Sequence, residues 1–136
     1  MTSHDNASGG DLVRRSYEAF VERDRETILD LLAEDATWHV FGSSGLAGTV
    51  EGRDAVWERF FEPMWDSPTT PEVHDILDSD EHVVVLGEVV FDLPDGEHRF
   101  KFVEVYHHED GQLTERWFFT DRRAELDDVL DRITAA

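Results

Sequence analysis

The chain contains no cysteine. That excludes a disulfide framework, a thiolate metal site and a cysteine nucleophile, and it fits a reducing compartment, the cytoplasm. Lysine is almost missing too: Lys101 is the only one, so the basic side of the composition is nearly all Arg. Twelve basic residues stand against 32 acidic ones, for a formal net charge of −20 with His neutral. Nucleic acid and anionic membrane surfaces need a local basic patch, and here Arg is interleaved with acids, as in Glu22-Arg23-Asp24-Arg25-Glu26. No apolar run approaches the ~20 residues of a membrane-spanning helix, and the first residues lack the charged start and apolar stretch of a secretory signal. Neither nucleic acid nor membrane is therefore expected as a partner. The acidic, Arg-favouring balance resembles that of proteins from salt-loving cytoplasms. Self-repulsion weakens the compact state at low salt and is screened when the Debye length falls to ~3 Å near 1 M, so halophilic folding is expected.

What is present suffices for one core. The 136 residues are 40% hydrophobic, with four Trp and nine Phe, and a chain near this length buries roughly 68% of its unfolded surface. Residues 1–10, polar and small, read as a flexible leader, and 11–133 as a single domain.

From Asp11, apolar residues Leu12, Val13, Tyr17, Phe20 and Val21 trace one stripe of an amphipathic helix ending near Arg23. Asp24 is placed to cap a short second helix with the stripe Ile28, Leu29, Leu31 and Leu32. Thr37-Trp38-His39-Val40-Phe41 predicts a strand, closed by Gly42-Ser43-Ser44-Gly45. After a loop through Thr49-Val50-Glu51-Gly52, residues 54–61 predict a third helix, with Pro63 marking its end. Beyond the Pro/Thr-rich segment 67–71 come three long strands: 73–77 continuing through 82–92, then 98–108, then 112–120. Asp95-Gly96 and Asp110-Gly111 have the composition of tight hairpin turns, and residues 124–133 have helical spacing. Helices and strands are segregated, which argues α+β architecture.

Alternation divides each long strand into two faces. Val83, Val85, Gly87, Val89 and Phe91, with Val103, Val105, His107, Trp117 and Phe119, form a nearly all-apolar set. Val84, Leu86, Glu88 and Val90, with Phe100, Phe102, Glu104, Tyr106, Thr114, Arg116, Phe118 and Thr120, form a mixed set. The mixed face is assigned to a pocket wall and the apolar face to an interface, because small-molecule sites are mostly apolar with a few convergent polar groups. A Glu104 paired with Arg116 would stay ionised and act as an anchor or acceptor; an unpaired one, desolvated, could donate a proton. Glu88, Glu104 and Arg116 read equally as a solvated face or as a structural ion pair.

Ser16-Tyr17-Glu18-Ala19-Phe20, then Asp24 and the run from Ile28 to His39, resembles the opening of SnoaL-like polyketide cyclases and ketosteroid isomerase relatives in the nuclear transport factor 2-like superfamily. Glu51-Gly52-Arg53-Asp54-Ala55-Val56 is similar to the family's glycine-initiated third helix. Val103-Glu104-Val105-Tyr106, with Glu109 to Leu113 and Trp117, is similar to its last hairpin. The resemblance spans about residues 11–131. It implies a cone-shaped α+β barrel, a curved antiparallel sheet wrapped around three N-terminal helices with a short C-terminal helix. It also implies an enclosed pocket and a homodimer formed through the outer sheet face. The same cone hosts isomerases, cyclases, epoxide hydrolases, dehydratases and binders without activity.

Carried over residue by residue, the strand acid of ketosteroid isomerases matches Glu104. Their helix-one tyrosine falls on Ser16, with Tyr17 one residue away, and their general base falls near Val40, which takes no proton. The three polar positions of the epoxide hydrolases match Phe102, Glu104 and Phe118, of which only Glu104 is preserved in kind. For a SnoaL-type cyclase the acid–base residue could be His39, His107 or Asp121, although both His lie on the outward face and Asp121 equally suits a helix cap. The expected site accordingly has Glu104 and Arg116 as catalytic candidates and Tyr17, Trp38, Glu88, Phe102, Tyr106 and Phe118 as substrate-binding ones. No metal and no cofactor are expected, and the ligand is a small apolar or polycyclic molecule. The function expected is small-molecule binding with cofactor-independent isomerisation, cyclisation or dehydration, or else a ligand-binding or dimeric interaction module without activity.

Overall fold

The computed structural model describes residues 8–134. Of the expected leader, residues 1–7 lie outside the described residues, while Gly9 and Gly10 already belong to α1 (Gly9–Glu22). The Ser8 side chain caps this helix by accepting from the Asp11 amide, and Arg23 ends it in the left-handed conformation. Asp24 caps α2 (Arg25–Leu31) as expected, accepting from both the Thr27 amide and hydroxyl.

β1 (Leu32–Val40) starts five residues before the predicted strand, directly after α2. The predicted loop around Thr49 is in fact an edge strand, β2 (Gly48–Glu51), paired antiparallel to β1. Next come α3 (Arg53–Val56), a π-helical stretch (Trp57–Phe61) and α4 (Glu62–Met64). Pro63 therefore sits within the first turn of α4, where its missing N–H costs nothing, and does not end the helical run.

The long strand expected from 73 to 92 is two strands. β3 (Thr69–Asp78) and β4 (His82–Leu93) form a hairpin in which the Ser79 amide donates to the His82 carbonyl. β5 (Gly96–Glu109), β6 (Gln112–Thr120) and α5 (Arg123–Thr134) complete the chain. The Asp110-Gly111 turn has positive φ at both residues, 53° and 78°, the conformation its composition called for.

One curved sheet in the order β2-β1-β6-β5-β4-β3 carries the architecture. Every neighbouring pair is antiparallel except β1 and β6, whose connection runs through most of the chain and whose strands are parallel. Helices α1 to α4 fill the concave side: Leu12, Val13, Ile28, Leu31, Val56, Trp57 and Phe61 pack with Trp38, Val83, Val85, Phe102 and Tyr106. A second cluster joins Leu126, Val129 and Leu130 of α5 to Val40, Leu46, Met64, Phe91 and Phe100. The result is the α+β cone.

The face assignment needs one correction. On β5 and β6 the mixed set does face inward, but on β4 the inward residues are Val83, Val85, Gly87, Val89 and Phe91, since Val85 opposes Glu104 and Gly87 opposes Phe102. A two-residue hairpin pairs residues of opposite parity, as between Leu93 and Gly96. The β5–β6 hairpin starts the same way, Glu109 opposite Gln112, but a bulge between His107 and His108 restores equal parity from His107 and Glu115 onward. The bulge aligns Glu104 with Phe118 and Tyr106 with Arg116 on one face. The β4 turn without a bulge sends Glu88 to the other face.

Gly87 makes room for this wall. A Cβ there would lie 2.5 Å from the Glu72 carbonyl oxygen and 3.0 Å from the Phe102 ring. Gly87→Ala is expected to lose about 1–3 kcal/mol of stability through overpacking, read as a lower urea midpoint; an unchanged midpoint would refute this close packing.

Candidate functional site

The cone encloses a cavity of about 130 Å³. Its polar centre is built by register. Trp38 of β1 lies opposite Arg116 of β6, which lies opposite Tyr106 of β5, and Glu104 precedes Tyr106 by one inward position. All four are buried, Glu104 at 3% exposure and Arg116 at 6%.

Arg116 donates from Nε to Glu104 Oε2 at 2.5 Å, and its Nη2 lies 2.5 Å from the same oxygen in the ion pair. Tyr106 donates its hydroxyl to Glu104 Oε1 at 3.2 Å. Oε2 thus carries the whole ion pair, whereas Oε1 holds one long bond and keeps acceptor capacity. Aromatic rings surround the guanidinium: its carbon lies 4.8 Å from the Phe60 centroid, 5.0 Å from Phe118 and 5.5 Å from Trp38. Such an environment holds a cation by ring quadrupoles while excluding water.

Burial pushes the Glu104 carboxyl above its ordinary value, and the charge and hydrogen bonds of Arg116 and then the Tyr106 hydroxyl pull it back only in part. Burial first, and then the Glu104 charge, hold the Tyr106 hydroxyl well above its ordinary value, so it remains a donor. The arrangement can therefore present a carboxylate more basic than a free one, oriented by two fixed donors.

Of the residues expected from sequence, Tyr17, Trp38, Phe102, Glu104, Tyr106, Arg116 and Phe118 all line this cavity. Tyr17 stacks on Phe102 with centroids 6.5 Å apart, and Phe102 on Phe118 at 5.4 Å. Glu88 does not join them. It lies on the outer face beside Arg99 (3.8 Å) and His74 (3.8 Å), where it belongs to a surface charge cluster. His39 and His107 also lie outward, His39 stacked on Trp117 at 5.3 Å and bonded to Glu115 at 2.6 Å. Asp121 is exposed and does not line the cavity; its Oδ1 accepts from the Lys101 amide.

Sequence reasoning missed Phe91, Leu126 and Leu130, which also wall the cavity. The first was put on the wrong face by parity. The α5 pair carried a visible helical stripe, but nothing in a stripe says which opening it covers. Among the described residues no group of three or more His, Cys, Asp or Glu could hold a metal, and no helix is long and apolar enough to cross a membrane.

A sequence profile described as SnoaL-like domain matches residues 13–116, and the chain belongs to that family. Solved structures agree on the fold. An NTF2-like protein of unknown function from Burkholderia pseudomallei is 27% identical with a TM-score of 0.75, covering 100% of each chain. TerC, co-crystallised with polyporic acid, is 22% identical with a TM-score of 0.76, over 89% of this chain and 96% of that one. A proposed polyketide cyclase from Sinorhizobium meliloti is 15% identical with a TM-score of 0.66, over 80% and 94%. No curated protein matches the chain. The chain is thus a SnoaL-like family member with an NTF2-like fold.

Proposed function

We propose that the chain binds a small, mostly apolar carbonyl compound in the cone and moves a proton on it, with Glu104 as the base. The observation that carries this is the asymmetric pairing of Glu104: one oxygen holds Arg116 twice, and the other, on a carboxyl made more basic by burial, retains a lone pair. Oε1 takes a proton from the carbon beside the carbonyl. The C–H pair becomes the new C=C bond, and the carbonyl π pair moves to oxygen. Return of the proton at a second carbon completes an isomerisation; attack of the enolate carbon on another carbonyl, whose π pair becomes an alkoxide that takes the proton back from Glu104, completes a cyclisation. Trp38, Phe102, Tyr106 and Phe118 supply the walls, and neither metal nor cofactor enters the scheme.

Deuterium uptake by a panel of small enolisable ketones in D2O, followed by proton NMR, tests the scheme without knowledge of the natural substrate. Wild-type protein is expected to accelerate uptake beside the carbonyl, and Glu104→Gln to lower that acceleration by roughly 10²-fold or more. Ketones that bind with no uptake above buffer would leave the alternative, a binding module without activity.

The same reading makes the chain a homodimer through the outer sheet face. Phe41, Val103 and Phe119 are 40%, 37% and 46% exposed there, and Phe41 stacks on Phe119 at 5.4 Å. An apolar layer of this kind on an otherwise strongly acidic surface favours a second copy over water.

A further inference from the structure

The polar atoms of the cavity sort sharply by hydrogen-bonding sense. Ser16 Oγ donates to the Val13 carbonyl, and Thr69 Oγ1 pairs with Ser67 Oγ. Glu104 Oε2 is taken by Arg116, and Oε1 accepts from the Tyr106 hydroxyl with one lone pair left for the substrate's C–H proton. Among the described residues, five buried side-chain polar atoms have no partner, and three of them belong to residues lining this one cavity: Tyr17 Oη, Trp38 Nε1 and Arg116 Nη1. Two of these can only donate, and the phenol donates as its stronger role. An unmet buried donor costs about 1–3 kcal/mol, so three around one cavity mark the place of an acceptor.

Charge decides which acceptor. Arg116 and Glu104 cancel, the remaining lining cation, Arg123, is half-exposed and gives its Nη1 to the Phe41 carbonyl, and the whole chain carries a formal charge of −20. A carboxylate ligand would find no buried uncompensated cation to receive it. A neutral oxygen meets the donors at no such cost. Size sets the rest: apolar cavities near 150 Å³ hold one benzene ring, and this one is about 130 Å³.

We propose that the ligand is a neutral, single-ring ketone with a short side group, its oxygen held by Arg116 Nη1 with Tyr17 and Trp38. This deepens the proposed function and rests on it. It also narrows the expected ligand away from polycyclic molecules. The same donors would take up charge on that oxygen when Glu104 removes the neighbouring proton.

The test is a ligand-observed NMR titration of the full chain with four probes: acetophenone, ethylbenzene, benzoate and 2-acetonaphthone. Acetophenone is expected to bind roughly three- to tenfold tighter than ethylbenzene, the worth of a net hydrogen bond, and tighter than the other two. In Tyr17→Phe, which keeps the ring stacked on Phe102, acetophenone is expected to weaken while ethylbenzene is unchanged. Ethylbenzene binding as tightly as acetophenone would overturn the donor argument, benzoate binding tighter would overturn the charge argument, and equal binding of 2-acetonaphthone would overturn the size limit. Each of these leaves the pocket itself standing. If none of the four binds, the proposed function falls together with this inference.

Discussion

Arg116→Leu is expected to lose about 3–5 kcal/mol of stability at neutral pH, the effect of leaving one member of a buried ion pair without the other. Glu104 is 3% exposed and gives Oε2 wholly to Arg116, so no solvent can replace the lost charge. The loss has a pH signature. Burial already raises the Glu104 carboxyl, and removing Arg116 removes the largest pull in the opposite direction. In the variant the folded state therefore holds the Glu104 proton at pH values where the unfolded chain, near its ordinary 4.5, has lost it. More protons bound when folded means that stability is full below that ordinary value and falls as pH rises through the raised one. The gap between variant and wild type should thus widen from pH 4 to pH 7. Exposed carboxylates held low by hydrogen bonds, such as Asp95 at about 2 through His98 and Arg132, titrate alike in both proteins and cancel in the difference. Replacing Glu104 and Arg116 together by leucine should cost much less than Arg116→Leu alone, since no orphan charge remains. Urea denaturation at two pH values measures all three. A gap that is absent, or constant with pH, would show that the pair is not the buried unit described.

On the proposed pairing of two copies through the outer sheet face, Trp117→Glu is expected to convert dimer to monomer. Trp117 lies at the middle of the outer layer, its ring 5.3 Å from His39 and 4.9 Å from His107, with Phe41 and Phe119 stacked alongside. A twofold interface meets each substitution twice, so two apolar contacts vanish and two carboxylates are forced toward each other. Glu115, bonded to His39, adds like charge on the same strand. Loss of roughly 1.5–3 kcal/mol per copy for the apolar contact alone predicts a dissociation constant raised by at least 10²-fold. Sedimentation over a concentration series reads this directly. A variant that stays dimeric, or a wild type that is monomeric throughout, would place the interface elsewhere or nowhere.

Local chemistry was legible wherever one residue decides one event. Asp24 had to cap something, Asp110-Gly111 had to turn, and the stripes of α1 and α5 had to bury a face. Glu104, Arg116, Tyr106 and Trp38 were also legible as a pocket set, because alternation within β5 and β6 holds across their own pairing. Alternation says nothing about the phase between strands, which is why Glu88 and Phe91 exchanged faces. The bulge-free turn between Leu93 and Gly96 reverses that phase between β4 and β5, whereas the bulge at His107–His108 preserves it between β5 and β6, and no local pattern in the sequence marks the bulge. The β3–β4 hairpin was hidden for a related reason: Asp78-Ser79-Asp80-Glu81 lacks the Gly or Pro that announces a turn, and the reversal is held by Ser79 bonds to His82. The asymmetry of the Glu104 pair, on which the chemistry rests, is a matter of which oxygen faces which nitrogen, and only coordinates carry it.

A crystal structure of the protein with acetophenone, grown from molar salt, tests the central claim most directly. The account predicts the ketone inside the cone, its oxygen within hydrogen-bond reach of Arg116 Nη1 and its methyl carbon beside Glu104 Oε1. A ketone bound elsewhere, or a cavity filled by Trp38 and Phe118 with Oε1 turned away from it, would contradict Glu104 as the base.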